Sequence, residues 1–183
     1  MTDFLPTEYE VPQGKSNYMK FLSGANRFRI LSSPILGYEY WVSDDDGNRK
    51  PLRRRMDNPF TTDIATEPEK IKHFWAMIVW NYKDEKIQIL EITQKSIQKY
   101  LKELARDTDW GSPVNKYDIV VTRTGEKLET EYNTQPKPAK PTDKKILDAL
   151  KSVQINIEAL YTGDDPFKNM ENKENVNPDD IPL

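Results

Sequence analysis

The sequence predicts a mainly β fold: a five-stranded barrel with a helix between strands 3 and 4, then a C-terminal helix and a disordered acidic tail. Three observations point there. Two apolar hairpins flank a stretch with helical spacing, and a long strand-like run precedes the first of them. After a proline-rich stretch, apolar residues recur at helical spacing once more and then cease.

Residues 1–23 read as an N-terminal arm. Residues 26–42, "NRFRILSSPILGYEYWV", alternate Phe28 and Ile30 with Arg27 and Arg29. Aromatic and β-branched residues resume after Pro34 and Gly37, as expected of one long strand broken by a bend. "SDDDGNRKP" is a turn cluster, and the basic stretch after it reads as a long loop with a short returning strand at 52–56. "HFWAMIVWNY", the turn "KDEK" and "IQILEI" make the first hairpin.

Thr93 is placed to cap a helix running to Arg106, with Ile97, Tyr100, Leu101 and Leu104 as its apolar stripe. "YDIVVTR", the turn "TGEK" and "LETEYNT" make the second hairpin, with Gly125 supplying the permissive turn residue. Residues 136–141 form a proline-rich connector expected to have no capacity to pack. Thr142 then caps a helix over 142–162, lined by Ile146, Leu150, Val153, Ile157 and Leu160. Residues 163–183 hold too little apolar surface to fold.

Strand, long loop, strand, strand, helix, strand, strand is the order of an OB-fold, here over residues 24–135. The second and third strands of that fold, with the loops joining strands 1 to 2 and 4 to 5, usually form a nucleic-acid face. Those loops are 43–72 and 124–127. A different small barrel, or an α+β sheet, can be built from the same elements.

Composition narrows the chemistry. With 183 residues, 36% of them hydrophobic, one core of modest size is expected. There is no cysteine and one histidine, His73, which excludes disulfides and thiolate zinc sites and disfavours a serine triad. No apolar run approaches the roughly 20 residues of a membrane span, and the first residues lack the order of a signal peptide. A soluble intracellular protein with no membrane partner is the expectation. The net charge of −3 is unevenly spread: six of the 30 acids but only two of the 27 lysines and arginines fall in 164–183. The body is therefore balanced and the tail acidic.

Single-stranded nucleic acid is held by cations along its phosphates and by rings that accept stacked bases, each stack worth about 1–3 kcal/mol. Candidates are Lys20, then Arg27 and Arg29 on one face of the first strand, then Tyr38, Tyr40 and Trp41. Arg53, Arg54 and Arg55 follow in the loop, with Lys72 and His73 beyond. On the next strand Trp75 is expected to face the ligand, because its side of that strand begins and ends polar with His73 and Asn81. Trp80 and Tyr82 stand near the hairpin tip, and Arg123 and Lys127 flank the last turn. Each tryptophan is equally readable as core, and the arginine triplet as a solvated loop.

Catalysis has weaker support. Acids cluster at Asp44, Asp45 and Asp46, at Asp107 and Asp109, and at Asp179 and Asp180, which admits a Mg²⁺-dependent nuclease. The first cluster lies in a turn, where acids serve local hydrogen bonding. No phosphate-binding glycine loop occurs. No cofactor and no enzymatic activity are expected.

"NRFRILSSPILGYEYW", "KHFWAMIVWNY", "IQILEITQKSIQKYL", "DTDWGSP" and "YDIVVTRTGEKLETEY" together resemble bacteriophage single-stranded DNA-binding proteins with an OB-fold. Separately, "PDDIPL" resembles the acidic tip of bacterial single-stranded DNA-binding proteins, a docking peptide for replication, recombination and repair proteins. The matching positions are Asp179, Asp180, Ile181, Pro182 and Leu183, with one Asp fewer and Leu in place of Phe. An apolar side chain beside a terminal carboxylate suits a hydrophobic pocket with a basic rim. The resemblance implies a sequence-independent binder of single-stranded DNA in the bacterial host cytoplasm, with RNA equally served by the same contacts. A protein-interaction module on the same barrel is the rival reading, and a homo-oligomer is compatible with the apolar C-terminal helix.

Overall fold

The computed structural model describes residues 16–168, which form a mainly β protein with one mixed sheet and two α-helices. The strands are β1 (Tyr18–Met19), β2 (Gly24–Ile30), β3 (Ile35–Ser43), β4 (Arg49–Arg55), β5 (Lys72–Asn81), β6 (Lys86–Ile92), β7 (Asp118–Thr124) and β8 (Glu131–Pro136). Helix α1 (Lys95–Arg106) lies between β6 and β7, and α2 (Lys144–Ser152) follows β8. The sheet runs β1-β6-β5-β2-β7-β8, with β3 pairing β5 and β4 pairing β3. Every pairing is antiparallel except β1 with β6.

The long bent strand expected over 26–42 is two strands laid end to end along β5. Phe28, Arg29 and Ile30 pair with Asn81, Trp80 and Val79, and Ile35 resumes opposite Ala76. Pro34 has no N–H to give the ladder. Ser32 bridges the break, its Oγ accepting the Ile78 N–H at 2.9 Å. The returning strand is longer and earlier than expected, because Arg49 and Lys50 already pair with Ser43 and Val42.

Side chains alternate along β5, and both of its faces are covered. Met77 and Val79 join Phe28, Ile30, Leu90 and Ile92 in the main core under Ile97, Leu101 and Leu104 of α1. On the opposite face Phe74 and Ala76 meet Leu160 and Phe167, and Trp80 meets Ile146 of α2. No pairing joins β6 to β8 among the described residues; β6 takes β1 on that side, and α1 packs against β8. The expected five-stranded barrel is therefore an eight-stranded sheet whose closure by hydrogen bonds is not seen.

Several local expectations are corrected. Thr93 does not cap α1: its N–H donates to Gln94 Oε1 at 3.1 Å, and Gln94 occupies the cap position. Tyr100 is exposed, and the buried stripe is Ile97, Gln98, Leu101 and Leu104. The helix expected over 142–162 ends at Ser152. Val153, Ile155 and Ile157 are β-branched and alternate with polar residues, a period-two pattern that favours extended chain over helix. A 3-10 turn (Ile157–Tyr161) follows. Leu128, expected to begin a strand, stands fully exposed in a 3-10 turn (Lys127–Glu129). Part of the expected arm is packed, since Met19 and Phe21 are buried; residues 1–15 lie outside the described residues. No helix among the described residues is long and apolar enough to cross a membrane.

Gly37 sits where β3 is flanked by both β4 and β5. A Cβ there would stand 2.1 Å from the Arg54 carbonyl oxygen and 2.9 Å from the Phe74 ring. Gly37→Ala should therefore cost about 1–3 kcal/mol, read as a lower urea midpoint. An unchanged midpoint would show that the β3–β4 hairpin shifts freely on the sheet.

Candidate nucleic-acid interface

The geometry is set by one buried charge cluster. Arg29 and Asp118 face each other across the β2–β7 ladder, and neither side chain is exposed. Arg29 Nε donates to Asp118 Oδ1 at 2.6 Å, and its Nη1 donates to the Lys140 carbonyl and to Thr142 Oγ1, both at 2.9 Å. Arg27 donates to Asp118 Oδ2 through Nε and Nη2, and the Tyr82 hydroxyl donates to Oδ1 at 2.9 Å. Burial alone would raise the Asp118 pKa, but the hydrogen bonds from Arg29, Arg27 and Tyr82 outweigh it and hold the carboxyl below its ordinary value. Burial and the bond to Asp118 push the Tyr82 phenol up to about 12.

This cluster removes Arg29 from the candidate surface, and it explains why Thr142 does not cap α2. It also corrects the view of 136–141 as unable to pack. Lys137 N–H donates to the Asp118 carbonyl at 2.8 Å and Lys140 N–H to that of Lys116 at 3.1 Å.

The β3–β4 hairpin carries the exposed ring of Trp41 and the exposed cations Arg49, Lys50 and Arg55. Residues directly opposite share a face, so Glu39, Trp41 and Gly37 lie with Arg53, Pro51 and Arg55, while Tyr38 and Tyr40 lie with Arg54 and Leu52. Trp41 is 44% exposed. Its Nε1 donates to Glu39 Oε1 at 2.9 Å, which fixes the indole by its edge, and the Arg49 guanidinium lies over one of its faces at 5.7 Å. The opposite Glu39 oxygen accepts from Arg53 Nε at 3.2 Å, and Arg53 Nη2 donates to Glu91 at 2.7 Å. Burial and a hydrogen bond with Glu39 push Glu91 up to about 8, with Arg53 opposing the shift.

The arginine triplet is thus split by strand alternation. Arg53 is spent on the carboxyl groups of Glu39 and Glu91 above the Phe74 ring. Arg54 lies over Phe60 at 5.0 Å on the other face. Arg55 pairs with Glu158 and lies over Tyr161 at 4.3 Å. Among the described residues Arg49, Lys50 and Arg54 make no ion pair. Together with residues 160–166, β4 walls a groove of about 780 Å³ that also takes in Tyr18, Lys50 and Tyr161.

The other candidates are scattered. Tyr40 is buried, its hydroxyl accepting from Glu67 N–H at 3.2 Å, and Trp80 is buried beneath α2 with Lys145 Nζ 5.9 Å from its ring. Trp75 is half-buried, packing against the main core and lining a groove with Pro34, Leu101 and Pro113. Its indole N–H donates to His73 Nε2 at 3.1 Å, and His73 Nδ1 donates to the Gly37 carbonyl at 2.8 Å. The polar ends of that face mislead because they are satisfied locally, Asn81 donating to Gln88 at 2.9 Å. Tyr38 is half-buried against His73. Arg123 is half-buried and donates to the Phe21 carbonyl at 3.0 Å, while Lys72 and Lys127 are exposed. Lys20 and Arg27 line a second groove, of about 370 Å³.

Arg49, Lys50 and Tyr161 were not among the candidates. The two cations follow the turn "DDDGN" directly, and the proximity of a turn to a paired strand was their one available signal. In that turn Asp44 Oδ1 accepts from Asp46 and Asn48 N–H at 3.0 and 2.8 Å, the local role its composition suggested. Among the described residues no group of three or more potential metal ligands is gathered. Asp179, Asp180, Ile181, Pro182 and Leu183 lie outside the described residues.

The chain is similar to a probable ssDNA-binding protein of Escherichia phage T5, with 24% identity over 143 residues. The alignment covers 66% of this chain and 55% of that relative, so the chain spans little more than half of the relative's length. No family model matches the chain, and no solved structure matches it.

Asp118→Ala leaves the Arg29 charge buried and should cost about 3–5 kcal/mol, whereas Arg27→Ala, removing a largely solvated partner, should cost about 1 kcal/mol or less. Urea unfolding distinguishes them, and equal losses would refute the buried hub. At Glu91 the folded protein holds a proton that the unfolded chain, with its ordinary carboxyl near 4.5, releases. Its contribution to stability is fully present below pH 4.5 and is lost as pH rises through about 8. Glu91→Gln should flatten the decline of the urea midpoint between about pH 4.5 and 8; an unaltered slope would assign the decline to another group.

Proposed function

We propose that this protein binds single-stranded DNA without sequence preference and without catalysis, and that the strand wraps the β3–β4 hairpin. The observation that carries this reading is an exposed, edge-anchored indole, Trp41, with Arg49 on the same face of the hairpin and Lys50 and Arg54 on the other, three cations that have no carboxylate partner among the described residues. An anchored ring loses little freedom when a base stacks on it, and unpaired cations exchange counterions for phosphates. The similarity to a probable ssDNA-binding protein supports the same reading.

The fold is read as an OB-type barrel left open between β6 and β8, with α1 filling the gap. Support comes from the position of α1 between the third and fourth expected strands and from the pairing of β2 with both β5 and β7. A part in DNA replication, recombination and repair, with 179–183 recruiting partner proteins, belongs to the same proposal and rests on the sequence resemblance.

Titration of intrinsic tryptophan fluorescence with oligo-dT at several salt concentrations tests it. Affinity should fall with salt, and an Arg49, Lys50, Arg54→Ala triple variant should bind more weakly, with the log–log salt slope reduced by about 2. Trp41→Ala should remove most of the fluorescence change. Failure of the wild-type protein to bind at low salt would end this reading in favour of a protein-interaction module.

A further inference from the structure

The groove beside β4 and the second groove are lined by different segments of the chain, but one residue lines both: Tyr18. On one side of it stand Lys50, Arg55 and Tyr161. On the other stand Lys20, Arg27 and Lys83, from the chain around β1, from β2 and from the β5–β6 turn.

Tyr18 is held firmly for a half-exposed residue. Its backbone pairs with Ile89 in the parallel β1–β6 ladder, and its N–H donates to Ser16 Oγ at 3.0 Å. The ring meets Phe167 edge to face, with centroids 5.7 Å apart and planes at 77°. Burial keeps its phenol protonated well above neutrality, so no charge there repels phosphate. The cations on either side are largely unspent: Lys20, Lys50 and Lys83 make no ion pair among the described residues. The grooves also hold acids, each held by a neutral donor: Asp164 and Asp165 in the first accept from Thr162 Oγ1 and Phe167 N–H, and Asp84 in the second accepts from Gln88 Nε2, so the cations outnumber but do not cancel them.

We propose that Tyr18 joins the two grooves into one track for a single strand of nucleic acid, stacking a base at the junction while Lys50 and Arg55 on one side, and Lys20 and Lys83 on the other, contact the flanking phosphates. This rests on the proposed function and extends it. The binding surface does not end at the β3–β4 hairpin, and a residue outside its basic cluster reads the strand's length. An acidic peptide could use the cations, but a fixed ring between two cationic grooves matches a polymer that alternates base and phosphate.

The test is a titration of the full chain with oligo-dT of increasing length, in wild type, Tyr18→Ala, Tyr18→Phe and a Lys20, Lys83→Ala double variant. Wild-type affinity should rise again once the oligonucleotide is long enough to pass the junction. Tyr18→Ala should lose about tenfold on the long oligonucleotides and nothing on the shortest, and Tyr18→Phe should retain wild-type binding. The double variant, which changes only solvent-exposed lysines, should reproduce the length-dependent loss and decides the matter if Tyr18→Ala fails to fold. Wild-type binding with the same length profile in Tyr18→Ala and in the double variant would overturn the joined track while leaving the hairpin site intact. Absence of any wild-type binding would instead sink the binding reading on which the track rests.

Discussion

Everything on the open side of this molecule is placed by the burial of Arg29 against Asp118. A guanidinium and a carboxylate withdrawn from water are tolerated only when their remaining hydrogen-bonding positions are filled. Here all but the Arg29 Nη2 position are filled, by Arg27 from the same strand and by two distant pieces of the chain, Tyr82 from the β5–β6 tip and the backbone and hydroxyl of 140–142. The connector after β8 is thereby tied down along β2 and β7. From that anchor α2 and residues 153–167 can run only across the outer face of β5 and β6, where Ile146, Leu160 and Phe167 are buried. The surface left over is the projecting hairpin and the grooves beside the C-terminal segment.

The division of labour among the cations follows from this arrangement. Some are consumed by structure wherever they sit, Arg29 by Asp118 in the middle of the sheet and Arg53 by Glu39 and Glu91 at its edge. Others, toward the hairpin end and the sheet margin, remain available. Glu39 links the two groups, since one carboxylate oxygen steadies Arg53 and the other orients the Trp41 indole. The orientation of the exposed ring therefore depends on an ion network beneath it.

Strand and helix order was largely legible in the sequence, because period-two and period-3.6 patterns are local. The first hairpin, α1 and β7 stand nearly where the patterns put them. What failed were judgements about which side of an element meets what. "KHFWAMIVWN" looks half-buried by its polar ends, yet both faces are covered, because the C-terminal segment supplies a second layer that no local pattern announces. "RRR" looks like one charge run until pairing with β3 shows that neighbouring arginines point to opposite faces. Arg29 reads as a surface cation until the ladder sets Asp118 opposite it, 89 residues away in sequence. Long-range register decided the site, and register is not written in composition.

The position of β4 carries one more consequence. Among the described residues it pairs with β3 alone, so on its other edge, where the 3-10 turn at Ile157–Tyr161 packs near one end, it offers backbone donors and acceptors that a foreign strand could engage. Pro51 removes one donor from that edge, and the charged side chains from Arg49 to Arg55 oppose a second like strand. The chemistry read as a surface for a polyanion is thus also an insulator against fibre-like stacking of one molecule on the next. Exchanging these charges for apolar residues would threaten colloidal behaviour at high concentration, so solubility and the proposed DNA contacts rest on the same few side chains.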